Sequence, residues 1–534
     1  MKLLFFPGRV LFRLACAALI VLPGIMPTFA SNSQTLRIGI AGQITSLDPH
    51  FVDLAPNSIL AEHIFDKLVR RNENSSLQLS LAESWRIIDP TTWELMLRKN
   101  VRFHDGSRFS AEDVVASLER VQQIKDSPGP FSTYLRAIQG VQIMDQHRLR
   151  IKTHAPYPLL LNDLSTIIIM PKRLVNTTTQ ELDSGKNVIG SGPYKFVSWR
   201  NRDHVELVRN DNYWGDKPPW QRVTLRVISD NELRVQALLR LEVDVIDSVP
   251  PQSLARLAQH RHAKTISKPS GRLIFLYLDS QRETSPYISS KDGRPTPNPL
   301  RDARVRRALS LAIDRDLLQN QILNGLAAPT RNLVPPGLLG HDPELKPDSF
   351  NLDAAKRLLS EAGYGDGFSI VVHGPNNRYL NDVEVLRAIA QMWQQLGLNV
   401  RVEIMPMREL LTRGSKREFS VNLLGWNAVT GDASSPLRAL LMTADAQQGS
   451  GNFNWGGYHN PQMDALIDQA LKTIDLKRRV SLLQQASKLA MLDDALIPLY
   501  HPVTVWAMHR DLQYTPRSDE YTLAHLIKPA RQNP

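Results

Sequence analysis

The chain of 534 residues contains a single cysteine, Cys16, which excludes a disulfide framework and a thiolate metal centre. Long apolar runs are also missing. Beyond the first thirty residues no stretch is long enough to cross a bilayer as a helix. The catalytic signatures of an extracytoplasmic hydrolase are absent too, since neither a Gly-x-Ser-x-Gly elbow nor a His-Glu-x-x-His helix occurs. A triad dispersed along the chain stays open as an alternative. Gly190-Ser191-Gly192-Pro193 has the glycines of a phosphate cradle but not the following Lys-Ser/Thr. His459 and His501 stand apart from any clustered ligand spacing, so neither a metal centre nor a cofactor is expected. There is no lysine or arginine run and no aromatic RNA-binding signature. The formal net charge of +11 therefore reads as a dispersed basic surface, with no nucleic-acid partner.

What is present begins with the N-terminus. Lys2, Arg9 and Arg13 precede an apolar run over residues 14–22, which Pro23 and Gly24 end. Pro27-Thr28-Phe29-Ala30 then supplies a small residue at a cleavage point. This is the pattern of a cleaved secretory signal over residues 1–30, and it places the mature protein in the periplasm. Cys16 lies near the start of the apolar run, with Arg13 three positions before it, so lipid attachment is not expected. Cleavage removes three positive charges and the only cysteine. The mature fold must then be held by core burial alone.

Residues 81–121 are the most informative stretch. Trp93, Leu95 and Leu97 alternate with Glu94, Met96 and Arg98, the period of a half-buried strand. Val101 and Phe103 are expected to form a second strand, with Asp105-Gly106 as a turn. Ser110 is placed to cap a helix, with Asp113 three positions on. Further strands are expected over residues 35–41, 223–228, 243–246, 273–278, 369–372, 400–404 and 420–424. Helices are expected over 59–68, 231–239, 302–317, 353–362 and 382–396. Repeated strand–helix alternation in the second half argues for an α/β lobe with a largely parallel sheet. The arginines of residues 301–307 read, for the most part, as a solvated helix face.

The succession Leu81-Ala82-Glu83-Ser84-Trp85, then Leu97-Arg98 to Val101-Arg102-Phe103-His104-Asp105-Gly106, then Ala111-Glu112-Asp113-Val114-Val115, resembles the extracytoplasmic solute-binding proteins of family 5. Leu300-Arg301-Asp302-Ala303-Arg304-Val305-Arg306-Arg307-Ala308-Leu309 matches a second motif of that family. The resemblance implies an α/β, two-lobed periplasmic binding protein fold (type II, cluster C) with an additional small domain and crossing hinge strands. It implies lobe I over residues 31–72, the extra subdomain over 73–189, and lobe I again over 190–272. Lobe II then spans 273–498, and 499–534 return to lobe I. The implied function is the periplasmic substrate-binding component of an ABC importer, not an enzyme. It would capture peptides or peptide-like solutes and deliver them, as a monomer, to permease subunits at the inner membrane. A carrier of an opine, glutathione or a nickel complex is the alternative within the family.

The resemblance also suggests where a ligand sits. The loop Ile44-Thr45-Ser46-Leu47-Asp48-Pro49 borders the cleft in the family, which makes Ser46 a candidate, although Asp48 also reads as a simple cap. In peptide-binding relatives an acid three positions after the tryptophan matching Trp426 holds the ligand's ammonium. That position is Val429 here, and Asp432 is the substitute expected. Dipeptide-binding relatives carry an arginine in the loop matching residues 374–382. It aligns with Asn376, and Arg378 two residues on keeps the same face of an extended segment. Arg378 reads equally as a surface residue. Tyr379 and Asn427 complete the candidates, and Trp426 is either a cap over a ligand side chain or lobe core.

Overall fold

A computed structural model describes residues 35–127, 130–376, 378–428, 431–445 and 450–530. The expected signal segment, with Cys16, and the position Val429 lie outside the described residues. Among the described residues no helix is long and apolar enough to cross a membrane.

The chain enters through β1 (Thr35–Ile40), whose Leu36, Ile38 and Ile40 are buried. Next comes α1 (Ala55–Ile64), which starts and ends earlier than expected. Pro56 fits its first turn, where an amide is not needed, and the backbone turns extended at Phe65. An insertion then builds a small antiparallel sheet from β2 (Ala82–Asp89) and β3 (Thr92–Leu97), with α2 (Ala111–Gln123) packed against it. β4 (Ile138–Asp145) and β5 (Arg148–Thr153) complete the order β2-β3-β5-β4. Trp93, Leu95 and Leu97 point into its core, as their alternation requires. The Ser110 amide donates to Asp113 Oδ2 at 2.8 Å, the local cap expected for α2. Val101 and Phe103, however, are not a strand. The segment joins no sheet and instead folds on itself, Arg102 bridging Arg108 and Phe103 N–H donating to Ser107 O at 2.9 Å. Gly106 makes that turn at φ +90°.

The chain returns through β6 (Tyr194–Arg200), β7 (His204–Arg209), β8 (Arg222–Val227), α3 (Asn231–Leu239), β9 (Val245–Ile246) and β10 (Ala263–Pro269). It then crosses into the second half along β11 (Arg272–Leu278). There it forms α4 (Ala303–Leu311), α5 (Leu352–Glu361), β12 (Ser369–Asn376), α6 (Asp382–Gln394), β13 (Asn399–Pro406) and β14 (Val421–Asn427). The helices α7 (Pro461–Lys472) and α8 (Leu476–Leu492) follow, and β15 (Ile497–His509) runs back. Thirteen strands among the described residues join into one sheet, with β6-β7-β8-β1-β9-β15-β11-β14-β12 as its main path.

β15 is the strand common to both lobes. Its residues 503–509 pair with β10, and Ala507 and Met508 also pair with β9. At its other end Tyr500, Pro498 and Ile497 pair with β11. β11 is buried on both faces. Ile274, Leu276 and Leu278 enter a core with α4 and α6, while Leu273, Phe275 and Tyr277 enter another with α7 and α8. The second-half sheet is mixed rather than largely parallel. β12 runs parallel to β13 and β14, but β11 is antiparallel to β14 and β15. The reason is topological: one crossing strand leaves the first lobe and the other returns to it.

The α4 arginines also depart from the solvated face expected of them. Arg306 is buried and donates to the carbonyls of Leu300, Arg301, Asp493 and Asp494. Arg307 places Nη1 2.8 Å from both Asp348 oxygens. Arg304 alone of these three stays exposed, paired with Asp302.

His63 in α1 shows how the first lobe locks one protonation state. Its Nδ1 lies 2.7 Å from Ile59 O, and its Nε2 accepts the Ala524 amide at 2.9 Å. One ring nitrogen must donate and the other accept, so the ring is neutral. Burial pulls its pKa from 6.5 to about 4. A histidine held neutral contributes stability that is complete above pH 6.5 and is lost as the pH falls through 6.5 toward about 4. Nitrogen NMR of the imidazole is expected to show the neutral tautomer persisting at pH 5.

Candidate functional site

Two spaces open between the lobes, and their linings share no residue. The first is a cavity of about 120 Å³. From the first lobe come Glu62 and Lys67, at and just beyond the end of α1, Arg71 further on, and Arg517 and Asp519 after β15. From the second come Asn427 at the end of β14, Gly431 and Leu338. The second is a crevice of about 560 Å³. It lies between Ser248–Gln252 of the first lobe and Arg378–Asn381 of the second, with Arg272 and Tyr500 of the crossing strands on its wall. The two spaces are neighbours in the chain, because Gly271 lines one and Arg272 the other, as do Asp519 and Glu520.

The cavity carries charge of both signs. Asp53, Glu62 and Asp519 are its carboxylates, and Lys67, Arg71 and Arg517 its cations. Most are already engaged within the protein. Glu62 is ion-paired with Lys67, Arg517 donates from Nε to Asp519 at 2.9 Å, and the Tyr134 hydroxyl donates to Asp53 at 2.7 Å. Burial pushes the Glu62 carboxyl up, but the Lys67 ammonium, with Arg517 and Arg70, more than offsets this and holds it below its ordinary value. Arg71 reaches toward the second lobe. Gly431 sits at φ +74°, where glycine is favoured, and a Cβ there would displace the tip of the Arg71 side chain. Asp163 lies behind Arg71, its carboxyl raised to about 7 by burial even though the Tyr157 hydroxyl donates to it at 2.7 Å.

The six expected residues do not meet in one place. Asn427 lines the cavity, while Arg378 and Tyr379 line the crevice. Tyr379 accepts the Gly425 amide on its hydroxyl at 2.8 Å, and Arg378 lies over the Tyr379 ring at 5.5 Å. Trp426 is half-buried against the second-lobe core, with Nε1 donating to Ser435 at 3.0 Å and its ring edge-on to Phe453. Asp432 is fully buried, ion-paired with Arg479 and accepting the Ser434 amide at 3.0 Å. Ser46 is buried and donates to Asp183 at 2.7 Å, tying the loop after β1 to residue 183 rather than facing either space. The residues that sequence reasoning missed are Asp53, Glu62, Lys67, Arg71, Arg517 and Asp519 in the cavity, with Arg272 and Tyr500 in the crevice. Only Arg272 carried a signal, as the charged residue opening a dense apolar strand.

No group of three or more His, Cys, Asp or Glu among the described residues is arranged to hold a metal ion. The two linings offer shape, hydrogen bonds and charge, which is what reversible binding of a small polar solute requires.

Comparison with known proteins agrees with this architecture. Residues 76–448 match the model of the bacterial extracellular solute-binding proteins, family 5. The glutathione-binding protein GsiB of Salmonella choleraesuis is 27% identical over 497 residues, covering 91% of this chain and 92% of that protein. HbpA2 from Haemophilus parasuis has a similar structure, with a TM-score of 0.79 and 23% identity over 93% of this chain and 99% of its own. The periplasmic binding protein DppA from Helicobacter pylori, in complex with the peptide STSA, gives a TM-score of 0.72 at 23% identity, covering 93% and 98%. The chain belongs to the bacterial extracellular solute-binding proteins of family 5, and its role is that of the substrate-binding component of an ABC importer.

Proposed function

We propose that the protein captures a peptide or peptide-like solute between its lobes, closes on it by hinge motion about β11 and β15, and releases it to a permease unchanged. The observation that carries this reading is the crevice of about 560 Å³ beside the charged cavity. Its volume falls within the roughly 300–1,000 Å³ of small-molecule sites, whereas the cavity alone is below that range. The named relatives, one a glutathione-binding protein and one bound to a short peptide, support the same solute class. In this reading residues 1–30 direct export to the periplasm. Residues 31–72, 190–272 and 499–534 form lobe I, 73–189 its extra subdomain and 273–498 lobe II. The protein works as a monomer with permease subunits at the inner membrane.

Native mass spectrometry of freshly purified protein, followed by denaturation, tests the reading. A carried peptide or peptide-like mass that is displaced intact by added peptide supports it. Conversion of the added peptide to smaller products would overturn it in favour of a hydrolase.

A further inference from the structure

The extra subdomain holds a carboxyl that is shut away from water without an ion-pair partner. Asp163 lies in the short helix Leu160–Leu164 and is only 7% exposed. The Tyr157 hydroxyl donates to it at 2.7 Å, and no cation lies within 4.0 Å of it among the described residues. The second lobe packs onto this face. Ile474, between α7 and α8, meets the same apolar core as Tyr157, Leu160, Leu161 and Leu164. Close by, the Arg71 side chain reaches Gly431. A Cβ on Gly337 of the second lobe would lie 3.8 Å from that of Asn74, in the turn between Val69–Arg71 and Leu77–Leu79.

The groups acting on Asp163 come from both lobes. Tyr157, Arg71 and Tyr134 belong to its own side, and Asp432 and Arg438 to the other. Asp432 is itself ion-paired with Arg479. Burial is the largest influence and raises the carboxyl, and Asp432 adds to it. The Tyr157 bond, Arg71 and Arg438 oppose them, and the outcome is a carboxyl raised to about 7. When the lobes part, Tyr157, Arg71 and Tyr134 stay beside Asp163, whereas Ile474, Asp432 and Arg438 withdraw. Water then takes their place and favours the ionised form.

We propose that closure of the lobes is coupled to uptake of a proton from solvent at Asp163, so that the protein closes more readily as the pH falls from 8 toward 5. The inference rests on the hinge-closure reading above and adds a regulator to it. The sign follows from linkage. The carboxyl holds its proton more tightly when closed, so the closed form gains as the pH falls through the closed-state value. The gain is complete below the open-state value, and its slope is at most about tenfold per pH unit.

Disulfide trapping measures closure without needing the solute. Asn74→Cys with Gly337→Cys sets two side chains at the Cβ separation a disulfide requires, and only while the lobes are together. The one native cysteine, Cys16, falls in the expected signal. Trapping rates are compared at pH 8 and pH 5.5 in this protein and in the same protein carrying Asp163→Asn. Thiol ionisation, and the strain of a side chain at Gly337 with φ +96°, are common to both and cancel in the ratio. The rate with Asp163 relative to that with Asp163→Asn is expected to rise roughly fivefold or more from pH 8 to pH 5.5. Tyr157→Phe removes a bond that favours the ionised carboxyl, so it is expected to move this rise to higher pH. A rate relative to Tyr157→Phe that varies with pH carries the test if Asp163→Asn does not fold. A ratio identical at both pH values would overturn the proton link while leaving hinge closure standing. No trapping at either pH would overturn closure onto this contact.

Discussion

Arg120→Ala is expected to lower the free energy of unfolding by about 3–5 kcal/mol, because it strands the Asp48 carboxylate in the interior of the first lobe. The Asp48 side chain is fully buried and that of Arg120 is 3% exposed. The guanidinium donates to both Asp48 oxygens, at 2.8 and 2.7 Å, and to the carbonyls of Val175 and Thr177 at 3.0 Å. It thereby joins the loop after β1 to α2 and to the chain following it. Burial acts to raise the Asp48 carboxyl, and the Arg120 bonds outweigh it, so its pKa is held below the ordinary value. A carboxyl depressed in the fold contributes stability that is present above its unfolded pKa and is lost as the pH falls through the folded one. A buried charge pair is often worth no more than a well-packed apolar replacement. Substituting both partners together, Asp48→Leu with Arg120→Met, is expected to cost much less than Arg120→Ala alone. Urea denaturation of the two variants decides this, and equal losses would contradict it.

Asp432→Asn is the second large effect. The carboxylate is buried against Arg479, whose side chain is 3% exposed and whose Nε has no partner among the described residues. Removing the charge leaves that guanidinium uncompensated, at a cost again of about 3–5 kcal/mol. Asp292→Asn serves as the comparison. Asp292 pairs with Arg294 in the open, their side chains 55% and 83% exposed, and its loss is expected to cost well under 1 kcal/mol. A urea midpoint as little changed in Asp432→Asn as in Asp292→Asn would contradict this.

The sequence made local structure legible and left long-range pairing hidden. The 93–97 alternation, the Ser110–Asp113 cap and the helix Asn231–Leu239 each depend on residues within a few positions of one another, and each is present in the structure. Val101 and Phe103 have the composition of a strand, but the Asp105-Gly106 turn brings Arg108 back onto Arg102, and the segment pairs with itself instead of joining the sheet. Buried arginines were hidden for a related reason. Arg306 is satisfied by carbonyls of Asp493 and Asp494, nearly two hundred residues away, so in the sequence it looks like any other charge on a helix. The cavity follows the same rule. Arg517 donates to Arg71 O at 3.0 Å across a separation of 446 residues, and nothing around either residue announces the other. Asn427 and Arg378 were legible as ligand candidates because they lie in loops at the C-terminal ends of second-lobe strands. That pattern could not show that one adjoins the cavity and the other the crevice.

Small-angle X-ray scattering on the purified protein, titrated with the solute it retains in mass spectrometry, tests the central claim most directly. Closure of two lobes about the crossing strands predicts a radius of gyration that falls with added solute and levels off at one equivalent. A scattering profile unchanged at saturating solute would contradict it.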